Sequence, residues 1–283
     1  MNNIRETIYI DPKRQERIDK TRPLVFCFHY AGGTAGAFKP WETSTKVNFI
    51  PIELPGHGRR IREELTTSLS AICRDVAFEI SQLMNTEDFF GSSFSLYGHS
   101  MGAIMAFCTA KLLIDKYRLI PTCVQVSGRH APMDEDPSSF RTDQGMDALI
   151  DELRLIGHTP AEFIAVKEFR DFFIPMIFSD YVLAEDYQYD GTVLDLPIFA
   201  YCGREDFGAD ENVMKRWNQV TKNRFRIKSF SGDHFFIFEE GAFFSDLIAK
   251  DLLELCESTE SYSPILRRER EAPVSVYYER GEI

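Results

Sequence analysis

The chain has 283 residues, 44% hydrophobic and 13% aromatic, with a formal net charge of −12. That length and apolar content can bury a full core in one large α/β domain or two small ones. The acidic balance argues against nucleic acid as a partner, because phosphate binding needs clustered Lys and Arg. No 18-residue apolar run exists to span a membrane.

The N-terminal stretch MNNIRETIYIDPKRQERIDK is polar and lacks the apolar centre of a signal peptide. Residues 1–22 read as a charged extension ahead of the domain. Short β-branched and aromatic runs then alternate with longer helical patterns, the signature of a parallel sheet with helices on its faces. Strands are expected at 24–29 (LVFCFH), 47–54 (VNFIPIEL), 93–98 (SFSLYG), 122–128 (TCVQVSG), 196–203 (LPIFAYCG) and 224–232 (RFRIKSFSG). Several are apolar almost throughout, as strands covered on both faces are. Helices are expected at 68–84, where Leu69, Ile72, Val76, Ile80 and Leu83 recur at helical spacing, and at 102–117 and 241–256. From about 130 to 190 the alternation stops. Two or three Phe- and Tyr-rich helical patterns occupy this stretch, with Gly157 as a C-cap and Thr159–Pro160 opening the next helix. Such an insertion is expected to cap the C-terminal edge of the sheet. The six cysteines (27, 73, 108, 123, 202, 256) show no metal or redox spacing and mostly sit in apolar runs. A reduced, cytoplasmic protein is the economical expectation. Residues 257–283 form a second charged extension.

Chemistry enters at Gly98-His99-Ser100-Met101-Gly102, a G-x-S-x-G elbow between an expected strand and an expected helix. Small flanking residues permit the strained turn, and the helix N-terminus behind Ser100 favours a negatively charged intermediate. A serine nucleophile needs a base, and the base needs an orienting acid. In this class of fold the chain order is Ser, acid, His. Among the six histidines (29, 57, 99, 130, 158, 234), that order leaves His130, His158 and His234. The first two lie in or beside the insertion. His234 follows the last strand, where a loop can bring it to Ser100, and is the expected base. The acid is placed at Asp206, after the strand at 196–203, with Glu205 as the neighbouring competitor and Asp233 pointing elsewhere.

The loop HYAGGTAGAF at 29–38 has neither the Walker pattern nor G-x-G-x-x-G. Beside an elbow it reads as half of an oxyanion hole, with Ala31 N–H as one donor and Met101 N–H as the other.

Taken together, CFHYAGGTAGAF, ELPGHGRR, YGHSMGA, LRLIGHTPAEF, YCGREDFG and SGDHFFIF, in this order over residues 24 to 250, resemble the stand-alone type II thioesterases of nonribosomal peptide and polyketide assembly lines. The resemblance implies an α/β-hydrolase fold over 23–256 with a helical lid, and Ser100, Asp206 and His234 as triad. It implies hydrolysis of mis-primed or stalled acyl groups from the phosphopantetheine arm of an acyl or peptidyl carrier protein. No metal or cofactor is expected, and the protein is expected to be monomeric. Two departures stand out: His29-Tyr30 replaces the family's Pro-His, and Gly157-His158 replaces its Gly-Gly. The lid aromatics Phe140, Phe163, Phe172, Phe173, Phe178 and Tyr181 are candidates for an acyl pocket, with core packing as the default. The basic run GRRIR at 58–62 is a candidate for carrier docking, with plain solvation as its default. The alternatives are an esterase or lipase acting on free esters or acyl-CoA, which would share every catalytic feature, and a non-catalytic scaffold, which would have a broken triad.

Overall fold

The computed structural model describes residues 8–136, 140–156 and 161–260. Six strands match the six expected runs, β3 extending one residue past its run: β1 (Leu24–Phe28), β2 (Asn48–Pro51), β3 (Phe94–His99), β4 (Cys123–Ser127), β5 (Ile198–Gly203) and β6 (Phe225–Phe230). They form one sheet in the order β2-β1-β3-β4-β5-β6, every neighbouring pair parallel. Strands β1, β3, β4 and β5 are buried along their whole length, which explains their unbroken apolar sequence.

Helix Leu69–Met84 starts where the Ser68 hydroxyl accepts the Ala71 N–H, and its apolar stripe packs on one face of the sheet with helix Met101–Tyr117. Helix Gly241–Glu260 covers the other face, where Trp41, Tyr97, Tyr201 and Phe244 form an aromatic core. The sequence reading places the domain boundary at residue 23, yet Tyr9 and Ile10 are fully buried in the first of these cores. Ile10 pairs with Ile52 in an antiparallel bridge, and the Tyr9 and Ile10 N–H groups donate to the Glu79 carboxylate at 2.7 and 2.8 Å. This short segment covers the β2 edge of the sheet.

Between β4 and β5 the chain forms helices Gly145–Ile156, Ala161–Ala165 and Lys167–Glu185, with no strand among the described residues. They enclose a small core of their own, including Phe140, Leu149, Ile164, Ile174 and Ile177. The expected cap at Gly157, the Thr159–Pro160 start and His158 lie outside the described residues, as do the N- and C-terminal ends. Among the described residues no helix is long and apolar enough to cross a membrane.

The chain runs from β1 outward to β2, then returns across β1 to β3. The reversal puts a topological switch at the C-terminal ends of β1 and β3, the position where open α/β sheets bind ligands.

Candidate active site

The turn from β3 into helix Met101–Tyr117 places Ser100 at φ 55°, ψ −121°, a strained conformation for a residue with a Cβ. The crowding is severe enough to dictate glycine on both sides. A Cβ at Gly98 would lie 2.0 Å from the Gly102 carbonyl oxygen, and one at Gly102 would lie 2.2 Å from that of Phe28. Ser100 N–H donates to the Ser127 carbonyl at 2.8 Å, tying the elbow to β4. The same contacts press the helix N-terminus against the end of β1, where the glycine-rich loop begins.

His234 and Asp206 come from the loops after β6 and β5. His234 Nδ1 donates to Asp206 Oδ2 at 2.8 Å, with Asp206 nearly buried. The other oxygen, Oδ1, accepts Gly208 N–H and Ala209 N–H at 3.1 Å each, which fixes the carboxylate plane. The His234 ring lies 4.9 Å from that of His99, the residue just before Ser100, and its Cε1 is 3.2 Å from where a Cβ on Gly128 would project. The structure therefore brings Ser100, Asp206 and His234 to one end of the sheet. The two competing acids have other tasks. Glu205 accepts the Gly232 N–H and so clamps the loop that carries His234. Asp233 accepts Phe235 N–H at 2.8 Å, a local turn contact.

Around the glycine loop, Gly33 N–H donates to the Tyr30 carbonyl at 2.9 Å and Gly32 N–H to the Asp180 carboxylate at 2.7 Å. The N–H groups of Ala31 and Met101 have no protein acceptor among the described residues.

Sequence reasoning missed the polar support beneath this site. His99 Nδ1 and the Tyr97 hydroxyl both meet the Ser127 hydroxyl, at 2.9 and 2.8 Å. His130, one of the discarded bases, sits buried near the Arg129–Asp136 ion pair. Burial, reinforced by Arg129, lowers its pKa to about 4, against partial opposition from Asp136 and Asp134. A histidine whose folded pKa is depressed stabilises the fold above its unfolded pKa, and that contribution is lost as pH falls from about 6.5 towards 4. The displacement corresponds to about 3 kcal/mol. His130→Leu is expected to flatten the loss of stability over that window, measured by urea melts from pH 7 to pH 4; a slope equal to wild type would contradict it.

Two expectations need correction. Arg60, in the basic run offered for carrier docking or solvation, is 3% exposed. Its guanidinium binds Glu63 through two nitrogens, donates to the Glu53 carbonyl at 3.0 Å and lies 4.5 Å from the centre of the Tyr9 ring. It is a structural clamp for the N-terminal segment. Among the lid aromatics, Phe140 and Tyr181 pack edge to face, 5.2 Å apart, within or against the lid core, and Phe178 packs against the same core. Phe172 and Phe173 are exposed instead. The Phe163 side chain lies outside what the structure describes.

Comparison with known proteins now decides the family. The thioesterase domain model matches residues 23–252. The chain belongs to the thioesterase domain family. It is 32% identical over 235 residues to the gramicidin S biosynthesis protein GrsT of Aneurinibacillus migulanus, covering 81% of this chain and 88% of that protein. It is 31% identical over 246 residues to a protein of Brevibacillus parabrevis named linear gramicidin dehydrogenase LgrE, covering 84% and 88%. Among solved structures it is similar to YbtT, a type II thioesterase from the yersiniabactin nonribosomal peptide and polyketide pathway, with a TM-score of 0.73, 27% identity and coverage of 83% and 94%. The α/β-hydrolase fold and thioester-hydrolysing class read from the motifs therefore stand. These relatives do not favour the free-ester esterase or lipase reading.

Proposed function

We propose that this thioesterase removes acyl groups from the phosphopantetheine arm of a carrier protein, through an acyl-serine intermediate on Ser100. The observation that carries the mechanism is the elbow at φ 55° beside the His234–Asp206 pair, with two uncommitted N–H groups at hand. Asp206 accepts the Nδ1 proton, so His234 Nε2 keeps the lone pair that a general base needs. His234 takes the Ser100 proton as Oγ bonds to the thioester carbonyl carbon. The N–H groups of Ala31 and Met101 hold the resulting oxyanion. The C–S bond breaks and His234 protonates the departing pantetheine thiol. Water, deprotonated by His234, then attacks the acyl-Ser100 ester, and Ser100 recovers its proton as the acid is released. The chain's own residues supply every proton transfer, without a cofactor or metal.

The carrier-bound substrate is supported by the matching relatives from peptide and polyketide pathways. A reducing, cytoplasmic setting suits six free cysteines. Acyl chains of equal length are to be compared on a carrier protein and on p-nitrophenol. Higher kcat/KM for the carrier-bound chain is expected. Preference for the free ester would sink the carrier reading and leave the serine chemistry standing.

A further inference from the structure

One of the buried charges bonded to the glycine loop comes from the lid. Asp180 lies on helix Lys167–Glu185 and is 1% exposed. One of its oxygens, Oδ2, accepts two protons: Gly32 N–H at 2.7 Å and His57 Nε2–H at 2.9 Å. His57 comes from the loop after β2, and its Nδ1 lies 2.9 Å from the Pro55 carbonyl. A carbonyl and a carboxylate both only accept. Satisfying both contacts requires a proton on each ring nitrogen, so His57 is an imidazolium paired with a buried carboxylate. Desolvation alone would lower the His57 pKa, but the hydrogen bond and charge of Asp180, with help from the Pro55 carbonyl and Glu53, together outweigh it and raise the pKa.

Packing at Gly32 agrees with this lock. Its φ of +77° suits glycine, and an added Cβ would lie 2.8 Å from Ile177, on the same lid helix as Asp180. Three residues on, Ala35 N–H donates to Glu53 at 2.8 Å. The loop is thus pinned at two points, one from the segment after β2 and one from the lid. Ala31 N–H shares a planar peptide with the Tyr30 carbonyl, which accepts Gly33 N–H, so the turn that holds Gly32 also sets the tilt of that peptide.

We propose that Asp180 is a positioning residue for hydrolysis: it holds the Gly32 peptide so that Ala31 N–H faces the oxyanion, and completes the oxyanion hole only when this lid helix is seated. The inference rests on the acyl-serine reading of Ser100 and adds to it a coupling between lid position and transition-state stabilisation. Substrate ground states do not need the oxyanion donor, so the coupling acts on kcat and not on KM.

Asparagine distinguishes this role from a charge or a packing role. In Asp180→Asn the amide oxygen can take the place of Oδ2 and go on accepting Gly32 N–H, while the negative charge is gone. The full-length protein is assayed with a p-nitrophenyl ester and with an acyl-loaded carrier protein, alongside thermal melts. Asp180→Ala is expected to lower kcat about 10- to 100-fold on both substrates, with KM within about threefold of wild type. Asp180→Asn is expected to recover most of that loss. Should Asp180→Ala not fold, Asp180→Ser, whose hydroxyl is too short to reach Gly32, carries the same expectation. Wild-type kcat in a folded Ala or Ser variant overturns the proposal, as does an effect confined to KM or an Asn variant as slow as Ala. Ser100→Ala is run in parallel. If it keeps wild-type activity, the serine reading has failed; if it is inactive while Asp180→Ala is not slowed, only the positioning role has.

Discussion

Ser100→Ala is expected to lower kcat for carrier-bound thioesters by at least about 10⁴-fold and to abolish labelling by a fluorophosphonate probe. The fold should survive. Alanine carries the same Cβ at φ 55°, so the strain of the elbow is unchanged, and the Ser100 hydroxyl caps no helix N–H. Stability within about 1 kcal/mol of wild type is expected from thermal or urea melts. Residual hydrolysis above the uncatalysed rate would come from the two oxyanion donors. A folded Ser100→Ala protein that still deacylated carriers at the wild-type rate would remove the nucleophile from the mechanism.

The second large effect concerns a single proton. Asp206 Oδ1 is held by Gly208 N–H and Ala209 N–H, which fixes which end of an asparagine would face His234. In Asp206→Asn the amide oxygen must take the Oδ1 position, because only an acceptor satisfies those two donors. The NH2 group then faces His234 Nδ1, which must offer its lone pair. The proton moves to Nε2, on the side where Ser100 needs a base. With that tautomer, kcat is expected to fall by about 10³- to 10⁴-fold while KM changes little. Activity should partly return at alkaline pH, where hydroxide can assist. An Asn variant with near-wild-type kcat at pH 7 would show that Asp206 does not set the His234 tautomer.

The parts of the molecule that could be read in advance share a physical property. Strands buried on both faces must be apolar throughout, and the elbow must have glycine where a Cβ would collide with a carbonyl 2.0 Å away. Such constraints are local and leave marks in a few consecutive residues. Chain order then narrows six histidines to three, and the place after the last strand selects His234. The support under the site follows another logic. Asp180 and His57 are 123 residues apart and meet only because the lid helix docks on the loop after β2. His57 stands in the motif ELPGHGRR but precedes Ser100, outside the chain order expected of the base, and Asp180 sits in a Phe-rich helix with no motif around it. Arg60 misleads for a related reason. A run of cations reads as solvated or as a docking site, until Tyr9, Glu53 and Glu63 fold around this one. The N-terminal segment reads as a charged extension because its few apolar residues show no period, yet two of them, Tyr9 and Ile10, suffice to cover an edge strand.

The assignment of substrate class is tested most directly by intact-protein mass spectrometry. A panel of carrier proteins, each loaded with a different acyl group on its phosphopantetheine, is weighed before and after incubation with this protein. Loss of the acyl mass with the phosphopantetheine arm retained, and no such loss with Ser100→Ala, is the expected result. Carriers that keep their acyl groups while free p-nitrophenyl esters are hydrolysed would contradict it.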